Sequence, residues 1–275
     1  MSYCSSDDVY AATKLSNTVV PATSVTAMIM AAEKVADLKT FTTYHALKDS
    51  GTTSSSDSLE LTDSTKTWTT DAYENMYVWI FGGTGATQFR KIASNSGTVL
   101  TLERAWETNP DNTSTYRIVY SASDPNVSEL MDGTGTSTLF VDYYPLINVE
   151  SLTIDGSSVT TSSLYVYKNS GKMMLSDTSE QRYFLGWKPQ QVNLSYWYGV
   201  FPLPEEVKRF TILQASLSTL AAQIGGTYAT PSTYTLPEVS LSIGQAYVNI
   251  RETFNSLLKE AQMLEPILKK YMVIA

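Results

Sequence analysis

The chain of 275 residues contains a single cysteine and a single histidine, and these two scarcities remove whole classes of chemistry. Cys4 by itself forms no internal disulfide and no multi-cysteine metal site. His45 by itself rules out metal sites built from histidine pairs, and a Ser-His-Asp or Cys-His catalytic set would have no other imidazole base. Charge is also scarce: Asp, Glu, Lys and Arg make up 17% of the residues, and 27 acids against 19 bases give a formal net charge of −8. Such a chain is not expected to wrap nucleic acid by neutralising phosphates, although it can line a channel through which DNA passes. Long apolar runs are missing. Residues 19–32 are fairly apolar but contain Pro21 and several Thr and Ser, and Glu33 and Lys34 close the run short of a membrane span. The start MSYCSSDDVY has no cationic stretch and carries Asp7 and Asp8, so a secretory leader is not expected, and the N-x-Ser/Thr triplets at Asn112, Asn126 and Asn193 are chance matches. The carboxylate pairs Asp7-Asp8 and Glu205-Glu206 fall at expected helix starts, where capping and dipole compensation account for them. No catalytic set, cofactor site or metal site emerges, and an enzyme is not expected.

What is present is hydroxyl and aromatic: Ser and Thr are abundant and Tyr numbers 18, a composition suited to strand-rich surfaces. The first 49 residues read as helical. Asp7-Asp8 caps a short first helix, and Val25, Met28, Ile29, Ala32, Val35 and Ala36 make one stripe at helical spacing, with Thr23 or Ser24 as its cap. From Ser50 the character changes to short strand-like runs separated by turn residues, which predicts a small antiparallel barrel or sandwich over 50–121. Trp68, Trp79 and Trp106 are its expected core, or alternatively a carbohydrate-binding face. The glycine-rich FGGTGATQFRKI follows the apolar run ending at Phe81, and Glu103 lies where a ribose-binding acid would be wanted. Gln88 replaces the third glycine, however, and only about ten residues separate Gly85 from the next turn, too few for a parallel crossover. A hairpin turn is the expectation.

A second strand-rich block follows. Leu139, Val141 and Tyr143 alternate, Asp155-Gly156 and Asn169-Ser170-Gly171 mark hairpins, and Val192, Leu194, Tyr196 and Tyr198 alternate along a last strand. Pro204 then opens a helix carrying Val207, Phe210, Leu213, Leu217, Leu220 and Ile224, ended by Gly225-Gly226. A final helix carries Tyr247, Ile250, Phe254, Leu257, Leu258, Ala261 and Leu264 on one face, with Pro266 expected to kink or end it. The apolar character continues into Ile267, Leu268, Tyr271, Met272, Val273 and Ile274, which is more than one helix needs to cover its own core. Tyr247, Ile250, Phe254, Leu257, Leu258, Leu264, Ile267, Leu268, Tyr271, Met272 and Ile274 are therefore the candidate partner-binding residues, and packing on the chain's own core is the competing use of the same helix.

Three stretches, in this order, resemble the head-to-tail connector (adaptor) proteins of tailed bacteriophages and related viruses. They are YCSSDDVYAATKL with the helix after it, GTGTSTLFVDYYPLINVESLTIDG from Gly133 to Gly156, and VNLSYWYGVFPLPEEVKRFTILQASLSTL, and the order in which they follow one another extends over about two thirds of the chain. Residues 50–121 depart from that pattern as an insert. The resemblance implies an α+β fold in which residues 1–49 and 122–275 form a discontinuous helical core with antiparallel hairpins, interrupted by the small β domain. It also implies a non-enzymatic virion protein of the head-tail neck, made in the host cytoplasm and away from membranes. Such a protein forms a homo-oligomeric, dodecameric ring that binds the portal and a stopper, tail-tube or tail-terminator protein, and viral DNA passes through without sequence-specific contact. The competing reading of the residues is a carbohydrate-binding or adhesion module of a virion or cell-surface protein.

Overall fold

The computed structural model describes residues 2–176, 184, 189–226, 235–236, 239–240 and 243–268. The protein is α+β, with four α-helices among the described residues and antiparallel pairing throughout its sheets. Two compact units divide at Thr40/Phe41 and Pro202/Leu203, separating the helices from the large sheets. Of the boundaries expected at 50 and 121, the first lies inside the strand Ala46–Thr52 and the second just past the strand Thr115–Tyr120.

The helical unit consists of α1 (Ser6–Thr13), α2 (Ala22–Thr40), α3 (Glu205–Gly226) and α4 (Ile243–Leu268). Ser5 caps α1: its Oγ accepts from the Asp8 backbone N–H (3.1 Å), and the Asp8 carboxylate accepts in return from the Ser5 N–H (2.8 Å). Helix α2 starts at Ala22, and the Pro21 carbonyl accepts from the N–H of Ser24 and of Val25, so neither Thr23 nor Ser24 takes the expected cap position. Val25, Ile29, Ala32 and Ala36 are buried as their spacing predicts, whereas Val35 is exposed. The same helix buries Glu33 and Asp37, which accept hydrogen bonds from the Tyr3 backbone N–H and the Tyr3 hydroxyl and so clamp the N-terminal segment onto α2.

Helix α3 is buried on two sides. Ile212 and Ala215 join Val9, Val25, Ile29 and Ala32, while Leu213, Leu217 and Leu220 join Leu257 and Ala261 of α4. A helix enclosed in this way carries little charge along its middle, and its buried hydroxyls turn inward: Thr211 and Thr219 donate to the carbonyls of Val207 and Ala215 one turn back. Helix α4 runs past Pro266 to Leu268 instead of stopping there. Arg209 of α3 grips Glu260 of α4 with two parallel bonds of 2.6 and 2.8 Å.

The β unit begins with β1 (Ala46–Thr52), β2 (Ser55–Ser56), β3 (Glu60–Thr62), β4 (Tyr77–Gly82), β5 (Phe89–Asn95), β6 (Val99–Leu102) and β7 (Thr115–Tyr120). These form one seven-stranded sheet in the order β1-β7-β4-β5-β6-β3-β2. Its two end strands, β1 and β2, are consecutive in the chain, so the sheet must curve round. They do not pair with each other, and the expected small barrel is not closed by hydrogen bonds. Leu61, Val78, Ile80, Ile92, Leu100, Trp106 and Ile118 fill the core inside the curve. The glycine-rich stretch is the β4-β5 turn between antiparallel strands. Gly83 has φ +80°, and a Cβ there would lie 2.3 Å from the Thr113 carbonyl oxygen, so glycine is required for packing. Glu103 meets Lys91 at 2.7 Å.

The chain continues through β8 (Asn126–Met131), β9 (Thr138–Phe140), β10 (Leu146–Ile154), β11 (Ser157–Val159), β12 (Leu164–Tyr167), β13 (Lys172–Leu175) and β14 (Val192–Tyr198). A four-stranded sheet has the order β11-β10-β14-β8 and a three-stranded sheet the order β12-β13-β9. Leu152, Ile154, Leu194 and Tyr196 from the first share a core with Leu139, Met173 and Leu175 from the second. Asp155 and Gly156 have φ of +51° and +78°, the conformation of the expected β10-β11 hairpin, and Gly171 at +62° turns β12 into β13.

Arg90 of β5 and Glu150 of β10 join the seven-stranded sheet to the four-stranded one. Each side chain is 2% exposed and they meet at 3.2 Å. Removing the carboxylate would leave a buried guanidinium short of its counter-charge. Glu150→Ala is expected to cost about 3 kcal/mol in denaturant unfolding, and replacing both Arg90 and Glu150 by apolar residues is expected to recover most of that loss. Equal stability of the single and double variants would show that the pair does not act as a unit.

Candidate functional site

His45 lies immediately before β1, and its backbone N–H donates to the Val200 carbonyl at 2.9 Å. The ring is fully buried. Nε2 is 3.1 Å from the Tyr198 carbonyl oxygen, which can only accept, so Nε2 carries the proton and Nδ1 accepts from the Ser121 hydroxyl at 2.7 Å. Gly199, with φ +131°, leaves room for the ring: a Cβ there would stand 2.3 Å from Nε2. Burial lowers the imidazole pKa from 6.5 to about 4, against the smaller opposing pull of the Tyr198 carbonyl. Its two bonds tie the end of β7 to the end of β14, and a base this weak accepts protons poorly at neutral pH.

The structure divides the candidate partner-binding residues of α4. Ile250, Phe254, Leu257 and Leu264 pack on Leu213, Leu217 and Leu220 of α3, and Leu268 is buried. Leu258 and Ile267 are exposed, as is Met263 at 74%. The backbone of Tyr247 lies in the first turns of α4. Tyr271, Met272 and Ile274 lie outside the described residues.

The tryptophans of the seven-stranded sheet turn inward or are engaged. Trp106 is buried with its Nε1–H on the Glu60 carbonyl, Trp68 donates to Asp49 at 2.7 Å, and Trp79 packs beside Phe89. The open aromatic surface lies instead on the three-stranded sheet. Strand alternation sends Leu139, Met173 and Leu175 into the core and their neighbours outward. In the outward rows Tyr167 pairs with Lys172 and Lys172 with Phe140, while Tyr165 pairs with Met174. Phe140, Tyr165 and Tyr167 are 59%, 61% and 51% exposed, and the Lys172 ammonium lies 5.2 Å from the centre of the Tyr167 ring. The sequence held the signal for this face, since Phe140 alternates with Leu139 and Val141, but assigning a side to each parity requires knowing which strands pair.

Among the described residues no group of three or more His, Cys, Asp or Glu side chains is placed to hold a metal ion, and no helix is long and apolar enough to cross a membrane. No protein-family model matches the chain, and no curated protein matches it.

The depressed pKa of His45 makes stability depend on acid. Above about pH 6.5 neither the folded nor the unfolded state is protonated there and stability is complete; between 6.5 and about 4 the unfolded chain takes up the proton first, and stability falls by about 3 kcal/mol in total. His45→Gln is expected to be less stable at neutral pH yet to lose less on acidification. Urea unfolding of both proteins across this range decides it, and parallel losses would place the acid sensitivity elsewhere.

Proposed function

We propose that the chain is a structural virion protein, a head-tail connector subunit that assembles as a ring between the portal and the stopper or tail, around the DNA path. The observation that carries this reading is the outward face of the three-stranded sheet, where Phe140, Tyr165, Tyr167 and Lys172 are neighbours by strand register and remain open to solvent. Adjoining exposed rings mark a surface meant for a partner, whereas scattered ones do not. The order of sequence motifs supports a neck protein, and the net charge of −8 suits a channel that repels the DNA sliding through it. On α4, Leu258, Met263 and Ile267 are exposed apolar side chains that contacts with an adjoining ring would cover.

A carbohydrate-binding module is the second reading, and the same three exposed rings favour it. Its other support is weaker, because Trp68, Trp79 and Trp106 all pack against core residues. Solution mass separates the two readings: a connector forms large rings, and a glycan-binding module stays small and binds sugars.

Tyr165→Ser with Tyr167→Ser is expected to leave unfolding within about 0.5 kcal/mol of the parent, as for exposed positions generally, and to reduce the assembled species by sedimentation velocity. Ile267→Lys, or truncation after Glu265, is expected to preserve rings but abolish their attachment to portal-bearing particles. Particles that still retain their genome with the truncated protein would remove α4 as the docking element.

A further inference from the structure

Arg117 of β7 lies directly across from Trp79 of β4, so both project from one face of the seven-stranded sheet. Part of that face is covered, because Tyr77, Phe89 and Val119 share a core with Ile147 and Trp197 of the four-stranded sheet. The cover stops short of the edge strand β1 and of the Phe81 end of β4, leaving Leu47 50% and Phe81 41% exposed. There the Arg117 guanidinium carbon sits 3.9 Å from the centre of the Phe81 ring, 4.6 Å from Phe201 and 5.6 Å from Trp79.

Arg90, Arg104 and Arg209 each meet a carboxylate. Among the described residues the Arg117 side chain has neither a carboxylate nor a hydrogen-bond acceptor, only the three rings. Stacking fixes the plane of a guanidinium while leaving its N–H fork open, which pre-organises it for bidentate binding of a planar oxyanion. Aromatic rings around an arginine are also the composition of residues that dominate protein interfaces. The charge balance identifies the anion: with 27 acids against 19 bases, copies of this chain carry surplus carboxylates and repel polyphosphate.

We propose that the Arg117 box receives a carboxylate side chain from a second copy of this chain. The inference rests on the ring reading above and deepens it. A contact between this box and a different patch on the next copy is heterologous, the kind that propagates round a ring.

The test is sedimentation of the full chain as the parent and as Arg117→Ala, Arg117→Lys and Phe81→Ala, with thermal unfolding as the folding control. Arg117→Lys keeps the charge but loses the fork, so it and Arg117→Ala are both expected to weaken self-association by roughly 30-fold or more. Added poly-glutamate should dissociate the parent assembly without any substitution. Rings that form as tightly with Arg117→Ala as with the parent overturn the box and leave the ring reading standing. A parent that stays monomeric at every concentration overturns both. Arg117-dependent quenching of tryptophan fluorescence by inorganic phosphate or a short oligonucleotide, with none by poly-glutamate, makes the box a phosphate site and overturns the carboxylate assignment.

Discussion

Glu150 sits between two sheets with 2% of its side chain exposed, and what surrounds it determines how those sheets are held. Its Oε1 faces Arg90 at 3.2 Å and Arg104 at 2.9 Å, and its Oε2 accepts from Asn126 and Ser195, each at 3.3 Å. Arg90 spends its remaining donors on the carbonyls of Ala105 and Phe89 and reaches Glu107. A buried charge is tolerated only when nearly every lone pair and proton has a partner. Those partners come from β5, β8, β10, β14 and the loop before β7, so small slips of one sheet against the other would strand the charge. Apolar packing at Tyr77, Phe89, Ile147 and Trp197 supplies area at the same junction, while the ion network supplies register.

Much of the secondary structure was legible because it rests on local chemistry. The three- and four-residue steps of Val207, Phe210, Leu213, Leu217 and Leu220 describe α3, and Asp155-Gly156 describes a hairpin, since both depend on neighbours in sequence. Long-range pairing was less legible. Residues 41–49 read as helical but become the approach to β1 and its first half, because Ala46 and Leu47 find Tyr120 and Val119 across the sheet. Strand β8 gave little periodic signal and is defined by its place beside β14. Nothing in the apolar stripe of α2 marks Glu33 and Asp37 as buried, yet Tyr3 draws both into the interior. The candidate surfaces follow the same rule: the apolar stripe of α4 was visible, but which residues it keeps for α3 was not. Arg117 acquires meaning only when Phe81, Phe201 and Trp79 converge on it.

The two units manage exposure differently. The helical unit spends its apolar residues on enclosing α3 and leaves isolated side chains such as Leu38 outside. The β unit exposes grouped aromatics, on the three-stranded sheet and around Arg117, each group with a cation in contact. Lone apolar side chains tolerate water at small cost, and grouped ones paired with charge have the make-up of surfaces that meet other molecules.

The chain order of the helical unit has a consequence for synthesis. Helices α1 and α2 emerge first, but Ile212 and Ala215, which cover Val9, Val25 and Ile29, lie beyond the whole β unit. At ordinary translation speeds of about 5–20 residues per second, roughly 10–30 s pass before that cover leaves the ribosome. The seven-stranded sheet has a shorter wait, since all its strands lie between Ala46 and Tyr120, whereas the four-stranded sheet is complete only once β14 has been made. The nascent chain therefore carries an uncovered pair of helices while the whole β unit is being made, and the holding capacity of chaperones toward that apolar stripe bears directly on how many copies of the chain are delivered intact.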